Sequence, residues 1–235
     1  MKNLKNNLNK KLTDQINNSI QTMIAGLAHE IRNPLNSIKG ASEYLNKKYS
    51  NLDDVKEFTD IIINEIERLD KYLNEFLSFS RGVKLKLKKV NLENFLSGII
   101  MTIKHSIPVD VGIFVEKNLP DIYIDPEQMR QVIVNLLSNA KDAIINIKNP
   151  EIKIIARKIK NKVHISIIDN GHGIKSDDIN SIFVPFWTTK ENGLGLGLAI
   201  CKSIIEKHKG NISVRSKLNK GSEFIISLPL IEQRK

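Results

Sequence analysis

A narrow apolar stripe in the N-terminal part of the chain constrains the fold more than any other feature. Apolar residues recur three or four positions apart at Leu12, Ile16, Ile20, Ile24, Leu27 and Ile31, and the row continues at Ile38 and Leu45. Steps of three and four residues, passing into heptad steps from Ile31 to Ile38 and Leu45, are those of a coiled-coil seam. After a polar break over residues 47–54, a second run repeats the pattern at Val55, Phe58, Ile62, Ile66, Leu69, Leu73 and Phe76. The two runs predict a helical hairpin. Two helices with one narrow seam each cannot cover their own apolar surface, so the hairpin is expected to pair with a second copy into a four-helix bundle, a homodimer. The alternative is a monomeric hairpin covered by the rest of the chain.

Around Ser80-Arg81-Gly82 the period shortens to alternating segments, which places a domain boundary there. The organisation read from the sequence is a helical lead-in at 1–20, a hairpin at 21–82 and a second domain at 83–235. Within the latter, residues 111–116, 121–125, 151–160, 162–169, 211–217 and 222–229 read as strands, with hairpin turns at Asn161 and 218–221. Helical periods return at 92–104, 126–147 and 196–208. This order suggests a mixed sheet covered by helices on one face, an α/β sandwich, so the whole chain reads as an α+β multidomain protein.

Composition narrows the class. With 235 residues, 41% of them hydrophobic, the chain can bury a real core and needs no disulfide or metal staple. Its one cysteine, Cys201, can form neither a disulfide within the chain nor a cysteine cage, which points to a reducing compartment, the cytoplasm. No apolar stretch is long enough to span a membrane, and the Asn- and Lys-rich start has no signal-peptide core. A net charge of +10 would suit an anionic partner, but no nucleic-acid motif accompanies it, so nucleic acid is not an expected partner.

Four groups of residues carry chemistry. With Ile24 and Leu27 on the seam, His29 falls on the outer face beside Glu30, with Arg32 and Asn33 one turn on. Pro34 is expected to loosen the helix just beyond. A neutral imidazole is nucleophilic at one nitrogen if a carboxylate, here Glu30, holds the proton on the other. The helix starting at Pro126 has Asp125 as N-cap and Gln128 placed to complete a capping box. Its polar face carries Asn135 and Asn139, two neutral oxygen donors one turn apart that could complete an Mg²⁺ shell. In Ile167-Ile168-Asp169-Asn170-Gly171-His172-Gly173-Ile174 a strand delivers a carboxylate into a glycine turn; Asp169 would accept from an exocyclic amine while Gly171 and Gly173 admit a flat ring. Finally Gly193, Gly195 and Gly197 precede a helix, a phosphate cradle that is neither a Walker A loop nor a dinucleotide fingerprint. Between the glycine boxes, Phe183-Val184-Pro185-Phe186-Trp187-Thr188-Thr189-Lys190 reads as a mobile lid bearing hydroxyls and an ammonium.

In that order these boxes resemble the catalytic core of sensor histidine kinases of two-component systems, most closely the nitrogen-regulation (NtrB-like) branch, over roughly Gln21 to Leu230. The matching stretches are the H-box from Ala28 to Leu35, the N-box from Asn135 to Ala140, Asp169 to Ile174, the Phe-Pro-Phe segment, and Gly193 to Leu198. The resemblance implies a dimeric histidine-phosphotransfer hairpin followed by a GHKL (Bergerat) ATP-binding sandwich. It further implies that His29 accepts the γ-phosphoryl group of ATP with Glu30 as general base. Asn139 would ligate Mg²⁺ with support from Asn135, Asp169 would read the adenine amine, and Gly193, Gly195 and Gly197 would follow the phosphates. Asn33 would position water to dephosphorylate the aspartate of a response-regulator receiver domain. One departure stands out: many members have Lys three residues after the second N-box Asn, where this chain has Asp142. Lys141 and Lys190 are the candidates to contact phosphate, with Thr188 beside them.

A second class is a GHKL ATPase that drives conformational change without phosphohistidine. Relatives of that class have Glu where this chain has Asn135, so the amide favours transfer. His105, His164, His172 and His208 suggest no metal site; His208 is read as a helix-end cation. The stimulus is unreadable. Either the chain is a piece of a longer sensor, or input comes through residues 1–21 or another protein.

Overall fold

A computed structural model describes residues 30–80, 85–190 and 193–230. The chain divides into two compact units, 1–83 and 84–235. In the first, α1 (residues 30–48) and α2 (Asp53–Ser80) form the expected hairpin about a short turn. Ser42 and Thr59 are buried, and Thr59 Oγ1 returns its hydrogen to Val55 O. A polar ladder whose α1 members stand at heptad intervals ties the helices along one flank: Arg32 to Asp70 at 2.7 Å, Lys39 to Glu67 at 2.7 Å, and Asn46 to Asp60 at 2.6 Å. One position before each rung lies the stripe, where Ile31, Ile38 and Leu45 stay exposed, as do Phe58, Ile62 and Leu69 on α2. The helix continues through Pro34, and Ser37 Oγ donates to Asn33 O at 3.2 Å.

The second unit is a two-layer sandwich. Its elements are β1 (Lys88–Val90), α3 (Leu92–Ile103), β2 (Val111–Val115), β3 (Ile122–Ile124), α4 (Pro126–Ala143), β4 (Ile152–Ile159), β5 (Lys162–Asp169), α5 (Gly197–Lys207), β6 (Asn211–Lys217) and β7 (Gly221–Pro229). Five strands form one mixed sheet in the order β2-β4-β5-β7-β6, with β2 parallel to β4 and the remaining pairs antiparallel. Alternate residues, among them Ile152, Ile154, Val163, Ile165, Ile167, Phe224 and Ile226, are buried on the helical side with Leu96 of α3, Met129, Ile133 and Leu137 of α4, and Ile204 of α5. The period-2 pattern on strands and the 3.6-residue pattern on helices therefore meet in one core.

Two boundaries differ from the sequence reading. β1 and β3 pair in a separate two-stranded sheet, and three-residue strands give too little alternation to reveal it. α4 stops at Ala143 rather than at Ile147, because Asn146 takes a left-handed conformation, φ 83°, which ends helical hydrogen bonding although the apolar spacing runs on.

Candidate functional site

The site of the second unit is assembled along α4. Asp125, extended at φ −82° and ψ 110°, caps the helix, accepting from the N–H groups of Glu127 at 3.1 Å and Gln128 at 3.2 Å. Its second oxygen accepts from Lys86 N at 2.8 Å. Burial raises the carboxyl pKa, but these three N–H donors outweigh it and hold Asp125 below the usual carboxylate range. The reciprocal half of the capping box is replaced. Asp125 N donates to His208 Nε2 at 2.9 Å, and His208 Nδ1 donates to Ile204 O at 2.8 Å. His208 ends α5 as read from the sequence, is 5% exposed, and is a buried tie between α4 and α5.

Successive turns of α4 then gather three distant segments. Asn135 Nδ2 donates to Gly197 O at 3.3 Å, at the start of α5. Lys190 Nζ reaches Asn139 Oδ1 at 3.1 Å and Asp142 Oδ2 at 2.5 Å. At the helix end Ala143 O accepts from His172 N at 3.0 Å, fixing the turn that follows β5. The two carboxamides thus differ: Asn135 braces the glycine loop, whereas Asn139 presents its oxygen to a cation. Lys141 is half-buried, and the ammonium that reaches the N-box is that of Lys190.

Asp169 closes β5 and is 5% exposed. Burial pushes its carboxyl above the usual range, against the N–H of Gly171 at 2.8 Å and that of Ser222, its register partner on β7. Gly171 lies so close to α4 that a Cβ would overlap Ala143 O, and Gly173 is packed against the backbone of Lys217. These glycines therefore have a packing reason beside the one read from the sequence. Strand β6 and the turn after it brace the loop further, through Asn219 N to His172 O at 2.7 Å and Ile174 N to Ser216 Oγ at 2.8 Å. Ser216 and Ser222 escaped the sequence reading because only strand register brings Ser222 to Asp169 and Ser216 to Ser222.

The segment at 183–190, read from the sequence as a lid, is tied to the glycine loop: Phe186 N donates to Gly195 O at 3.1 Å. Gly195 has φ +65°, and a Cβ there would overlap Trp187 O. Thr188 Oγ1 accepts from Lys190 N at 3.1 Å and shapes the turn that carries the ammonium. α5 begins at Gly197 with no side-chain cap from Leu196, which leaves its first N–H groups available to an anion. Gly193 stands beside Thr188 Oγ1. Among the described residues no group of three or more His, Cys, Asp and Glu could hold a metal by itself.

In the first unit, His29 lies outside the described residues. Glu30 and Asn33 are exposed on α1, and Arg32 between them pairs with Asp70 and with Asn74 Oδ1 at 3.0 Å. No helix among the described residues is long and apolar enough to cross a membrane.

Residues 6–83 match the His Kinase A (phospho-acceptor) domain, and residues 124–232 match the histidine kinase-, DNA gyrase B-, and HSP90-like ATPase. The sensor histidine kinase ZraS of Escherichia coli strain K12 is 35% identical over 91% of this chain and 46% of its own length. Sporulation kinase C of Bacillus subtilis strain 168 is 34% identical over 88% of this chain and 48% of its own. The chain thus spans about half the length of the curated relatives it matches. Among solved structures, full-length ShkA in complex with AMPPNP is similar over 88% of this chain and 45% of that one, with TM-score 0.74 and 26% identity. Histidine kinase ThkA in complex with response regulator protein TrrA is similar over 91% of this chain and 62% of that one, with TM-score 0.65 and 29% identity.

Proposed function

The chain is built as the two-domain catalytic core of the histidine kinases, and from that premise we propose that it is an ATP-dependent protein-histidine kinase of a two-component system. It takes the γ-phosphoryl group of Mg-ATP onto His29 and passes it to an aspartate of a response-regulator receiver domain, whose phosphate it also removes. The observation that carries this reading is the convergence on one helix, α4, of the glycine loop through Asn135, a cation through Asn139, and the buried carboxylate turn through Ala143.

Each group has a task in that chemistry. Asp169, buried and acceptor-only when ionised, binds the adenine amine. The uncapped N-terminus of α5 and Gly193, Gly195 and Gly197 receive the phosphates. The oxygen of Asn139 suits a hard divalent cation, and Mg²⁺, when bound, supplies charge neutralisation to the transferring group. Lys190 is the ammonium within reach of the phosphates, held on its turn by Thr188. On the hairpin, Glu30 takes the imidazole proton of His29, and Asn33 positions water for the reverse hydrolysis. Phosphoryl transfer asks chiefly for position and charge, which is why nucleophile and nucleotide can sit on separate units.

Assembly as a homodimer is supported by the exposed stripe of the hairpin and by the phospho-acceptor domain match. Cytoplasmic location and membership of the nitrogen-regulation branch complete the proposal, the latter supported by the H-box residues. The test is incubation with γ-labelled ATP and Mg²⁺. An acid-labile, base-stable label that His29→Gln abolishes is expected; label that survives the substitution would end the assignment of His29, and steady ATP turnover without phosphoprotein would replace this reading by that of a GHKL ATPase.

A further inference from the structure

Asp142 has no task in the reading above, yet it makes the shortest polar contact of the site. It lies one helical turn beyond Asn139, and both point an oxygen at the same ammonium, at 2.5 Å and 3.1 Å. A carboxamide oxygen and a carboxylate oxygen so arranged are a pair of hard donors converging on one positive charge. The lysine that occupies them is a loose tenant: the side chains of Lys190 and Asp142 are 45% and 38% exposed, so water screens their attraction.

We infer that Asn139 and Asp142 form one cation seat, for which the Lys190 ammonium and the divalent ion of the nucleotide compete. The inference rests on the proposed binding of Mg-ATP at Asn139. A divalent ion gains about twice what an ammonium gains from the same carboxylate at the same distance, and the nucleotide's phosphates, by sharing its coordination, offset its cost of dehydration, which favours it for the seat. Lys190 is then released to the phosphates that arrive with the ion. Without the ion, Asp142 repels those phosphates. The carboxylate therefore couples metal binding to nucleotide binding, and the position that departs from the family's common Lys becomes a determinant of metal dependence.

The coupling is read by titrating the full 235-residue chain with AMPPNP in Mg²⁺ and in EDTA, by calorimetry, for the unaltered protein, Asp142→Asn, Lys190→Gln and the double variant. Asp142→Asn should cut the ratio of the two affinities about tenfold, within the usual range of site-to-site coupling, and should do so at least as strongly in the Lys190→Gln background, where nothing competes for the carboxylate. Lys190→Gln alone should lower the Mg²⁺ concentration needed for half-maximal binding. Asp142→Glu should restore most of the ratio, and thermal unfolding verifies that each variant is folded. A ratio unmoved by Asp142→Asn overturns the inference. So does an effect that disappears when Lys190 is absent, since Asp142 would then serve the lysine alone. If the unaltered chain binds no AMPPNP, the nucleotide reading itself falls; binding with an unmoved ratio sinks only the shared seat.

Discussion

Asp169 shows how a single side chain can trade stability for binding. Its carboxyl is held above the usual range by burial, so ionisation weakens the folded domain: the stability it contributes is full below the ordinary Asp pKa and is lost as pH rises through the raised value. When ionised, Asp169 is a buried carboxylate whose described acceptor bonds, from the N–H groups of Gly171 and Ser222, leave room for a further donor. Asp169→Asn keeps an oxygen for Gly171 and removes the charge. It should raise the melting temperature at neutral pH by a few degrees, about 1 kcal/mol, while abolishing AMPPNP binding. Thermal unfolding with and without AMPPNP measures both, and a variant that melts lower in the absence of nucleotide would count against the strain. Asp169 was legible in the sequence because a strand running into a glycine turn is a local pattern. The pairing of Asp142 with Lys190 was not, because the partner stands 48 residues away on an irregular segment.

At the scale of elements, α4 is the spine on which the site depends, and its N-terminus is where it can be broken. The cap was readable from Asp125-Pro126, but no local pattern signals that His208, 83 residues on, takes the Asp125 N–H. Asp125→Ala leaves the N–H groups of Glu127, Gln128 and Lys86 without their acceptor, and should cost about 2 kcal/mol in urea unfolding. The same carboxylate sets an acid limb. Held below the usual range in the fold, it stabilises fully above the ordinary Asp pKa, and that contribution is lost as pH falls through the lowered value. The Asp125→Ala protein should accordingly lose less stability than the unaltered chain between neutral and strongly acidic pH. Equal losses in the two would assign the acid limb to other groups.

For the whole molecule, much of the seam within the described residues is exposed surface. Ile38 is 49% and Phe58 66% exposed, and the heptad-spaced ladder from Arg32 to Asn46 runs alongside as a polar margin. Within one hairpin the described helices bury Ile66 of the row, and Leu77, but leave Ile31, Ile38, Leu45, Phe58, Ile62 and Leu69 uncovered, so another apolar surface is needed to remove these from water. If that surface is the same stripe on a second copy, two symmetric contacts bury every side chain of the row, each contributing about 1.5–3 kcal/mol. Ile38→Glu combined with Phe58→Glu places four carboxylates in such an interface, and should weaken the dimer at least 100-fold, or about 3 kcal/mol. Sedimentation velocity at micromolar concentration should then find monomers, with helical content retained. AMPPNP binding should be unchanged, because the nucleotide residues belong to the other unit. Labelling of His29 should fall with dimerisation if the phosphoryl group crosses between copies, and persist if it is transferred within one. A double variant that still sediments as a dimer would move the interface off the stripe and leave the coiled-coil period of this chain to be explained by the cover of its own second unit.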